Sequence, residues 1–342
     1  GGLIIPAGTV FGDTVEEATA LAQASLDMFV SVNQGNGSLT CIGTCSQVIG
    51  SLDVFANIGP SAYDPNTNRI FLATPNNGNI YVVDSITNTL IQTINTGAFV
   101  CGGIACRPNN SGDSTIFVAA NSANFSGDRY IKMINANTYA VTTLLTITPP
   151  APQAPNNPST SVADLKYLSN SDRVAMISSD GKSTTGGAFG DEWELISADA
   201  NTGAYVSITG LTAGGGVGVM GYNATLGRIY LAGNHTGVAN KHLQTLDETT
   251  LATISDFLVT QVGSSSGEAF YCPVNNQVYF PDQPGVGTGV AIFNGTTLAY
   301  ITTITIAGSV LNGIGFWPVG GLVLIRSGSS TELWNTNNQL VC

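Results

Sequence analysis

The feature that most constrains this chain is a twelve-residue segment that recurs in one form. An aromatic residue stands seven positions before an aliphatic one in YDPNTNRIFLAT from Tyr63, YLSNSDRVAMIS from Tyr167, YNATLGRIYLAG from Tyr222, YCPVNNQVYFPD from Tyr271 and FWPVGGLVLIRS from Phe316. A sixth copy, CRPNNSGDSTIFVAAN from Cys106, fits with a turn three residues longer. Three copies place arginine at one position, Arg69, Arg173 and Arg228, and Pro273 and Pro318 stand where the first copy has Pro65. Apolar residues on either side of a Pro/Asn/Gly turn predict a pair of antiparallel strands at each copy.

Residues 60–97 display the whole unit. Strands are predicted over Arg69–Thr74, Asn79–Asp84 and Thr89–Asn95, with a fourth just before Tyr63. Four short strands in about 40 residues make a sheet that cannot bury both faces by itself, so copies must stack. The second half recurs too, as YVVDSITNTLIQTI, KMINANTYAVTTL, QTLDETTLATI, AIFNGTTLAYITTI and ELWNTNNQLV. Asp84, Asn135, Asp247, Asn294 and Asn335 hold its turn, where a short side-chain oxygen accepts from the backbone two residues on. The spacing predicts an all-β chain: a seven-bladed β-propeller of four-stranded antiparallel blades, with six blades as the alternative.

One domain then spans 1–342, with 1–10 as an N-terminal arm and 11–27 as an irregular or helical entry segment. Val15–Asp27 has helix-forming residues behind a cap at Asp13 or Thr14. The Pro/Asn/Ser run Thr148–Ser161 reads as a surface connection, because the repeat continues on both sides of it. Closure of the ring predicts the N-terminal region beside residues 332–342, which removes two free sheet edges.

The 60–97 unit resembles the YVTN repeat of β-propellers, through NTNRIFLAT, NIYVVD and TNTLIQTINTG. Such propellers occur in surface-layer and other secreted proteins, and related ones are lactonases or subunits of redox enzymes. The resemblance therefore implies an exported propeller and leaves the activity open.

Composition narrows the partners. Charged residues make up only 9% of the chain, with 10 Lys+Arg against 22 Asp+Glu, so the surface is amide and hydroxyl, poorly defended against self-association. Without a basic cluster nothing displaces counterions from a phosphate backbone, which excludes nucleic acid. No apolar run of about 20 residues is long enough to span a membrane as a helix. The first residue is Gly, read as a processed end. Six cysteines without metal-type spacing predict disulfides in an oxidising compartment. Local loops would pair Cys41 with Cys45 and Cys101 with Cys106, leaving Cys272 for Cys342, although other connectivities and buried free thiols stay open.

Few residues offer chemistry. In a propeller the first strand of each blade lines the central channel, and there only Asp164 and Glu268 bring carboxylates, as weak calcium candidates. Asp191 and Glu192 join Glu194 in GDEWE, a second weak calcium cluster that also reads as a solvated loop tip. DPNTN (Asp64–Asn68) opens like a calcium loop but lacks its Gly and distal Glu, so it is a turn. His235 and His242 have no ligands at metal spacing. GGGVG (Gly214–Gly218) precedes a strand and not a helix, so it is no phosphate cradle. Catalytic residues and cofactors are therefore expected to be none, calcium being the one ion the carboxylates would admit. Sequons at Asn36, Asn109, Asn124, Asn223, Asn234 and Asn294 are as many as chance supplies; Asn109, Asn124 and Asn234 are placed in loops.

These readings predict a non-catalytic, extracellular or surface propeller of a cell-surface layer, an extracellular filament or a virion exterior. Its partners would be other protein subunits, including its own copies, and glycans. A secreted enzyme of lactonase-like or redox-partner type is the alternative and requires acidic or His residues converging on the channel. Glycan binding would use Trp193, Trp317 and Trp334 as stacking platforms, against a core role for Trp317 and Trp334.

Overall fold

A computed structural model describes residues 30–33, 38–42, 48–53, 60–74, 77–87, 89–98, 100–109, 111–122, 128–148, 162–179, 193–209, 211, 215–234, 241–260, 269–281, 289–306, 310–317, 322–327 and 330–340. Among them the chain is all strand and turn. It is a β-propeller in which seven antiparallel sheets follow one another along the chain. The first holds β1 (Val30–Asn33), β2 (Ser38–Ile42) and β3 (Val48–Asp53). The second is β4 (Ser61–Asp64), β5 (Arg69–Ala73), β6 (Asn79–Asp84) and β7 (Thr89–Asn95), and the third β8 (Val100–Arg107), β9 (Thr115–Asn121), β10 (Arg129–Asn135) and β11 (Val141–Ile147).

The fourth sheet comprises β12 (Val162–Leu168), β13 (Arg173–Ser179), β14 (Trp193–Asp199) and β15 (Tyr205–Thr209). The fifth comprises β16 (Gly215–Asn223), β17 (Arg228–Asn234), β18 (Lys241–Asp247) and β19 (Thr253–Val259). Next come β20 (Phe270–Cys272), β21 (Gln277–Pro281), β22 (Gly289–Asn294) and β23 (Tyr300–Thr305), then β24 (Val310–Trp317), β25 (Leu322–Ser327) and β26 (Ser330–Asn335). Five sheets have four strands; the first and last have three among the described residues, and a Trp334–Leu340 bridge adds to the last. The predicted entry helix and the predicted meeting of the N-terminal region with 332–342 fall on residues outside those described.

The seven-residue spacing is a cross-strand register: Tyr63 faces Ile70, Tyr167 faces Val174, Tyr222 faces Ile229, Tyr271 faces Val278 and Phe316 faces Val323. The arginine positions face the Asx turns in the same way, Arg69 opposite Asp84, Arg173 opposite Asp199 and Arg228 opposite Asp247. The first turns of the second, fourth, fifth and sixth sheets close with a left-handed residue, φ 53° at Asn68, 52° at Asp172, 61° at Gly227 and 52° at Asn276, all types that tolerate this conformation. Where that residue has an oxygen the tyrosine donates to it: Tyr63 Oη to Asn68 at 2.8 Å, Tyr167 to Asp172 at 2.9 Å and Tyr271 to Asn276 at 3.2 Å.

The second turn is an Asx turn in six sheets. Asp84 accepts the N–H groups of Ile86 and Thr87, Asn135 those of Asn137 and Thr138, and Asn294 those of Thr296 and Thr297. Asp247 accepts from Thr249 and Thr250, and Asn335 from Asn337 and Gln339. Asp199, which the repeat comparison missed, does the same with Asn201 and Thr202.

The backbone N–H of Thr202 and that of Thr250 hold the carboxyls of Asp199 and Asp247 below the usual range. At Asp84 burial acts upward, but the Thr87 and Ile86 N–H groups and Arg69 outweigh it and the net shift is downward. A carboxyl lowered by folding stabilises above its unfolded value of about 4, and that contribution vanishes as pH falls through the folded value. Asparagine serves the same turn in three other sheets. The triple variant Asp84→Asn, Asp199→Asn and Asp247→Asn is thus expected to keep its neutral-pH melting temperature within about 3 °C. Its loss of stability between pH 5 and 2 should be shallower than that of the parent, as measured by thermal melts across that range.

The core lies between neighbouring sheets. Phe71, Val82, Ile116 and Val118 pack the second sheet on the third, and Phe117, Ile131, Leu165 and Met176 the third on the fourth. Each is buried, and a fully buried side chain of this size contributes about 1.5–3 kcal/mol.

Candidate interaction surface

Strand alternation places both kinds of tight turn at the same end of every sheet, and there the sheets are tied together. Arg69 Nη1 donates to the Ala136 carbonyl at 2.7 Å, Arg228 Nη1 to that of Thr296 at 3.2 Å, and Asn275 to that of Thr336 at 2.9 Å. Tyr230 donates to the Gly295 carbonyl, and Ser197 Oγ to that of Glu248 at 3.1 Å. The Arg173 side chain stays within its own sheet, on Ser197. Two of the three repeated arginines, Arg69 and Arg228, are thus structural ties between turns of neighbouring sheets. Arg107 grips Asp172 at 2.5 Å and Asn201 at 2.9 Å, and Asp172 also accepts from Asn201. A cleft of about 360 Å³ lined by Arg107, Asn109, Tyr167 and Asp172 opens over this tie, and the polar contacts within it hold the third sheet to the fourth.

Asp64, in the turn read as a calcium-loop mimic, is fully buried and already ligated by the protein. Its oxygens accept from Asn66 N at 3.1 Å, Ser114 Oγ at 2.6 Å and Thr67 Oγ1 at 2.5 Å. Burial, then the nearby Asp64 charge, pushes the Cys106 thiol up to about 12. Burial first and Glu248 second raise Tyr222 to about 12, and burial raises Tyr279 to about 12, so these phenols remain protonated.

At the hub the first strands of successive sheets lie side by side. A Cβ on Gly102 would come within 1.9 Å of the Val162 carbonyl oxygen, and one on Gly103 within 2.4 Å of the Leu165 nitrogen. The wall between the third and fourth sheets is backbone against backbone. Asp164 is buried in it; it accepts the Leu165 N–H at 2.7 Å and pairs with Lys166 at 3.4 Å, which commits this candidate carboxylate to the wall. Glu268, Asp191, Glu192, His235, Asn36 and Asn124 lie outside the described residues. Glu194 corrects the reading of GDEWE as one loop-tip cluster: it sits in β14, buried, with Arg129 at 2.9 Å. His242 Nδ1 meets Asp256 at 2.7 Å. Among the described residues no three His, Cys, Asp or Glu side chains gather as a metal site.

The predicted Cys101–Cys106 pairing is corrected. Cys101 and Cys106 occupy one strand, β8, which separates them by ~15 Å, beyond disulfide reach. Cys106 is a free thiol, and so is Cys272, which packs as a small hydrophobe with Tyr279, Val290 and Trp334; Cys342 and Cys45 lie outside the described residues. Trp334 is core and offers no stacking face. Among the sequons, Asn223 is fully buried and donates to Tyr230 Oη at 3.0 Å, which closes it to a glycan, and Asn234 ends strand β17 rather than sitting in a loop. Asn109 is exposed in a turn, whereas Asn294 caps its Asx turn.

The surface left without an internal role is the rim. Sheet order places β7, β11, β15, β19 and β23 at the outer edge of their sheets. Their sequences, TLIQTIN, VTTLLTI, YVSIT, TISDFLV and YITTIT, contain one charged residue, Asp256, and no Lys or Pro. Large apolar side chains stand exposed on four of them: Ile91, Tyr205, Phe257 at 46%, Leu258 at 66% and Tyr300. Edge strands are ordinarily defended by Lys, Pro or inward-pointing charge.

Comparison with solved structures agrees with the fold. The chain is similar to a structure titled Kuenenia stuttgartiensis hydrazine synthase, with TM-score 0.65 and 12% identity over 91% of this chain and 95% of that one. It is equally similar to the Cps50 (Swd1) β-propeller domain of Myceliophteria thermophila, with TM-score 0.64 and 11% identity over 90% and 96%. At such identities the likeness is one of fold alone. No family model matches the sequence, and no curated protein matches it. The YVTN resemblance therefore rests on the residues that carry it.

Proposed function

We propose that this chain is a non-catalytic structural component of an exported assembly, such as a cell-surface layer, an extracellular filament or a virion exterior. The observation that carries this reading is the undefended rim, five outer strands with a single charge among them and apolar side chains turned outward. Free strand edges of this kind recruit further strands. An isolated acidic disc would gain nothing from such a rim, and a building block would use it for lateral contacts. Other protein subunits are the partners this surface suits, and a charge-poor amide and hydroxyl exterior suits an extracellular setting.

Electron micrographs of the protein released gently from its source should show discs joined in rows or a lattice. Single discs at every concentration, accompanied by turnover of a lactone or by co-purification with a redox enzyme, would replace this reading with the enzymatic one.

A further inference from the structure

We infer that the cleft over the junction of the third and fourth sheets is a binding site for a neutral sugar, whose adjacent hydroxyls are held by Arg107, Asp172, Asn201 and Asn109. The inference goes beyond the structural reading above and does not rest on it, because the cleft lies at the turn-bearing end of the disc and not on the outer strands.

The cleft forms where the third sheet departs from the repeat. In the second, fourth and fifth sheets an arginine opens the second strand: Arg69 opposite Asp64, Arg173 opposite Leu168 and Arg228 opposite Asn223. The third sheet exchanges the places, so that Arg107 ends β8 and Thr115 opens β9 opposite it. Its connection runs over residues 108–114, against residues 65–68 in the second sheet. Pro108 and Asn109 of that longer turn line the cleft from the third sheet, and Tyr167, Asp172 and Asn201 line it from the fourth. Local departures from an otherwise consistent pattern concentrate at functional sites.

The lining selects the class of ligand. The space is about 360 Å³, which suits a small ligand. Arg107 and Asp172 cancel in charge at 2.5 Å, and their side chains are 26% and 38% exposed, so a ligand reaches both. An anion would have to displace Asp172 from the guanidinium, and a cation would have to displace Arg107 from the carboxylate. Pro108 and the Tyr167 ring offer little surface to an apolar ligand.

The remaining features are planar donors and acceptors held in place. Arg107 has more N–H groups than Asn201, Asp172 and Tyr167 accept. Asn109 takes the Ser111 N–H on its Oδ1 at 3.2 Å and Asn66 Nδ2 on its carbonyl at 2.7 Å, and neither bond uses its amide N–H groups. Asp172 accepts from Tyr167 Oη on one oxygen and from Arg107 and Asn201 on the other. The Tyr167 ring is stacked on Phe117 with centroids 6.2 Å apart, which fixes the hydroxyl. A sugar hydroxyl both donates and accepts, and two on adjacent carbons reach a guanidinium and an amide at once.

The test is calorimetric titration and saturation-transfer NMR of the full chain with the methyl glycosides of mannose, galactose and glucose, with inorganic phosphate as the anionic probe. At least one glycoside should bind weakly and saturably. Asn109→Ala should weaken it about fivefold, the loss of one hydrogen bond, while melting within about 3 °C of the parent. Arg107→Lys keeps the charge but loses the planar fork, and should weaken it about tenfold; if that variant loosens the tie between sheets, Asn109→Ala still decides. Competition by mannan, galactan or glucan distinguishes a glycan chain from a free sugar as the source of the hydroxyls, and either source supports the site. No glycoside binding, binding that the folded variants leave unchanged, or phosphate taken up in place of the glycosides would each overturn the sugar site and leave the structural reading in place.

Discussion

Replacing Glu194 with Ala is expected to lower the unfolding free energy by about 3–5 kcal/mol, the cost of leaving one member of a buried ion pair behind. Arg129 on β10 is 2% exposed and reaches across the boundary between the third and fourth sheets. There it meets Glu194 at 2.9 Å and donates to Ser178 Oγ at 2.6 Å. Removal of the carboxylate leaves a buried guanidinium in the sheet interface without its opposite charge at 2.9 Å. The double variant Arg129→Met, Glu194→Leu should recover most of the loss, because two apolar groups of similar volume need no compensation. Denaturant unfolding of the three proteins checks this; a Glu194→Ala loss under 1 kcal/mol would mean that the guanidinium finds solvent.

Gly103→Ala is the second large effect, expected to cost about 3 kcal/mol. The added methyl would lie 2.4 Å from the Leu165 nitrogen and 2.7 Å from the Asp164 carbonyl carbon, both backbone atoms that no rotamer change can move. The sheets must separate at the hub to admit it. The control is Gly221→Ala, where the new methyl would stand 3.4 Å from its nearest neighbour, the Cβ of Ala269, and the cost should stay below about 1 kcal/mol. Thermal melts of both variants distinguish a tight hub wall from a loose one.

The unit and its register were legible because each sheet is built from neighbours in sequence. Tyr63 and Ile70 face each other across a turn whose length the chain states outright. The Asx turns at Asp84, Asn135, Asp247, Asn294 and Asn335 were visible for the same reason, as short oxygens before threonine-rich strands. Asp199 escaped because the insertion between β13 and β14 lengthens its distance from Arg173; the signal that finds it is the arginine facing an Asx residue across the sheet. Cys101 and Cys106 were misread because a loop-like spacing also fits a single bulged strand, in which the register slips between Cys101 and Gly103. Leu251 and Leu298 adopt φ 58°, an unfavourable choice for a leucine that no propensity would suggest. Both are buried between sheets, which offsets the strain.

What the chain determined alone was the repeated sheet: strand length, turn type, register and the near absence of charge, all set by contacts within one unit of about 40 residues. What only the tertiary structure decided was which polar groups meet between units. Arg129 and Glu194 lie on different sheets, as do Arg107 and Asp172, and no periodicity ties such partners together. The outward face of β19 belongs to the same class, since a strand becomes a rim only after its sheet has taken a place beside its neighbours and left that edge uncovered.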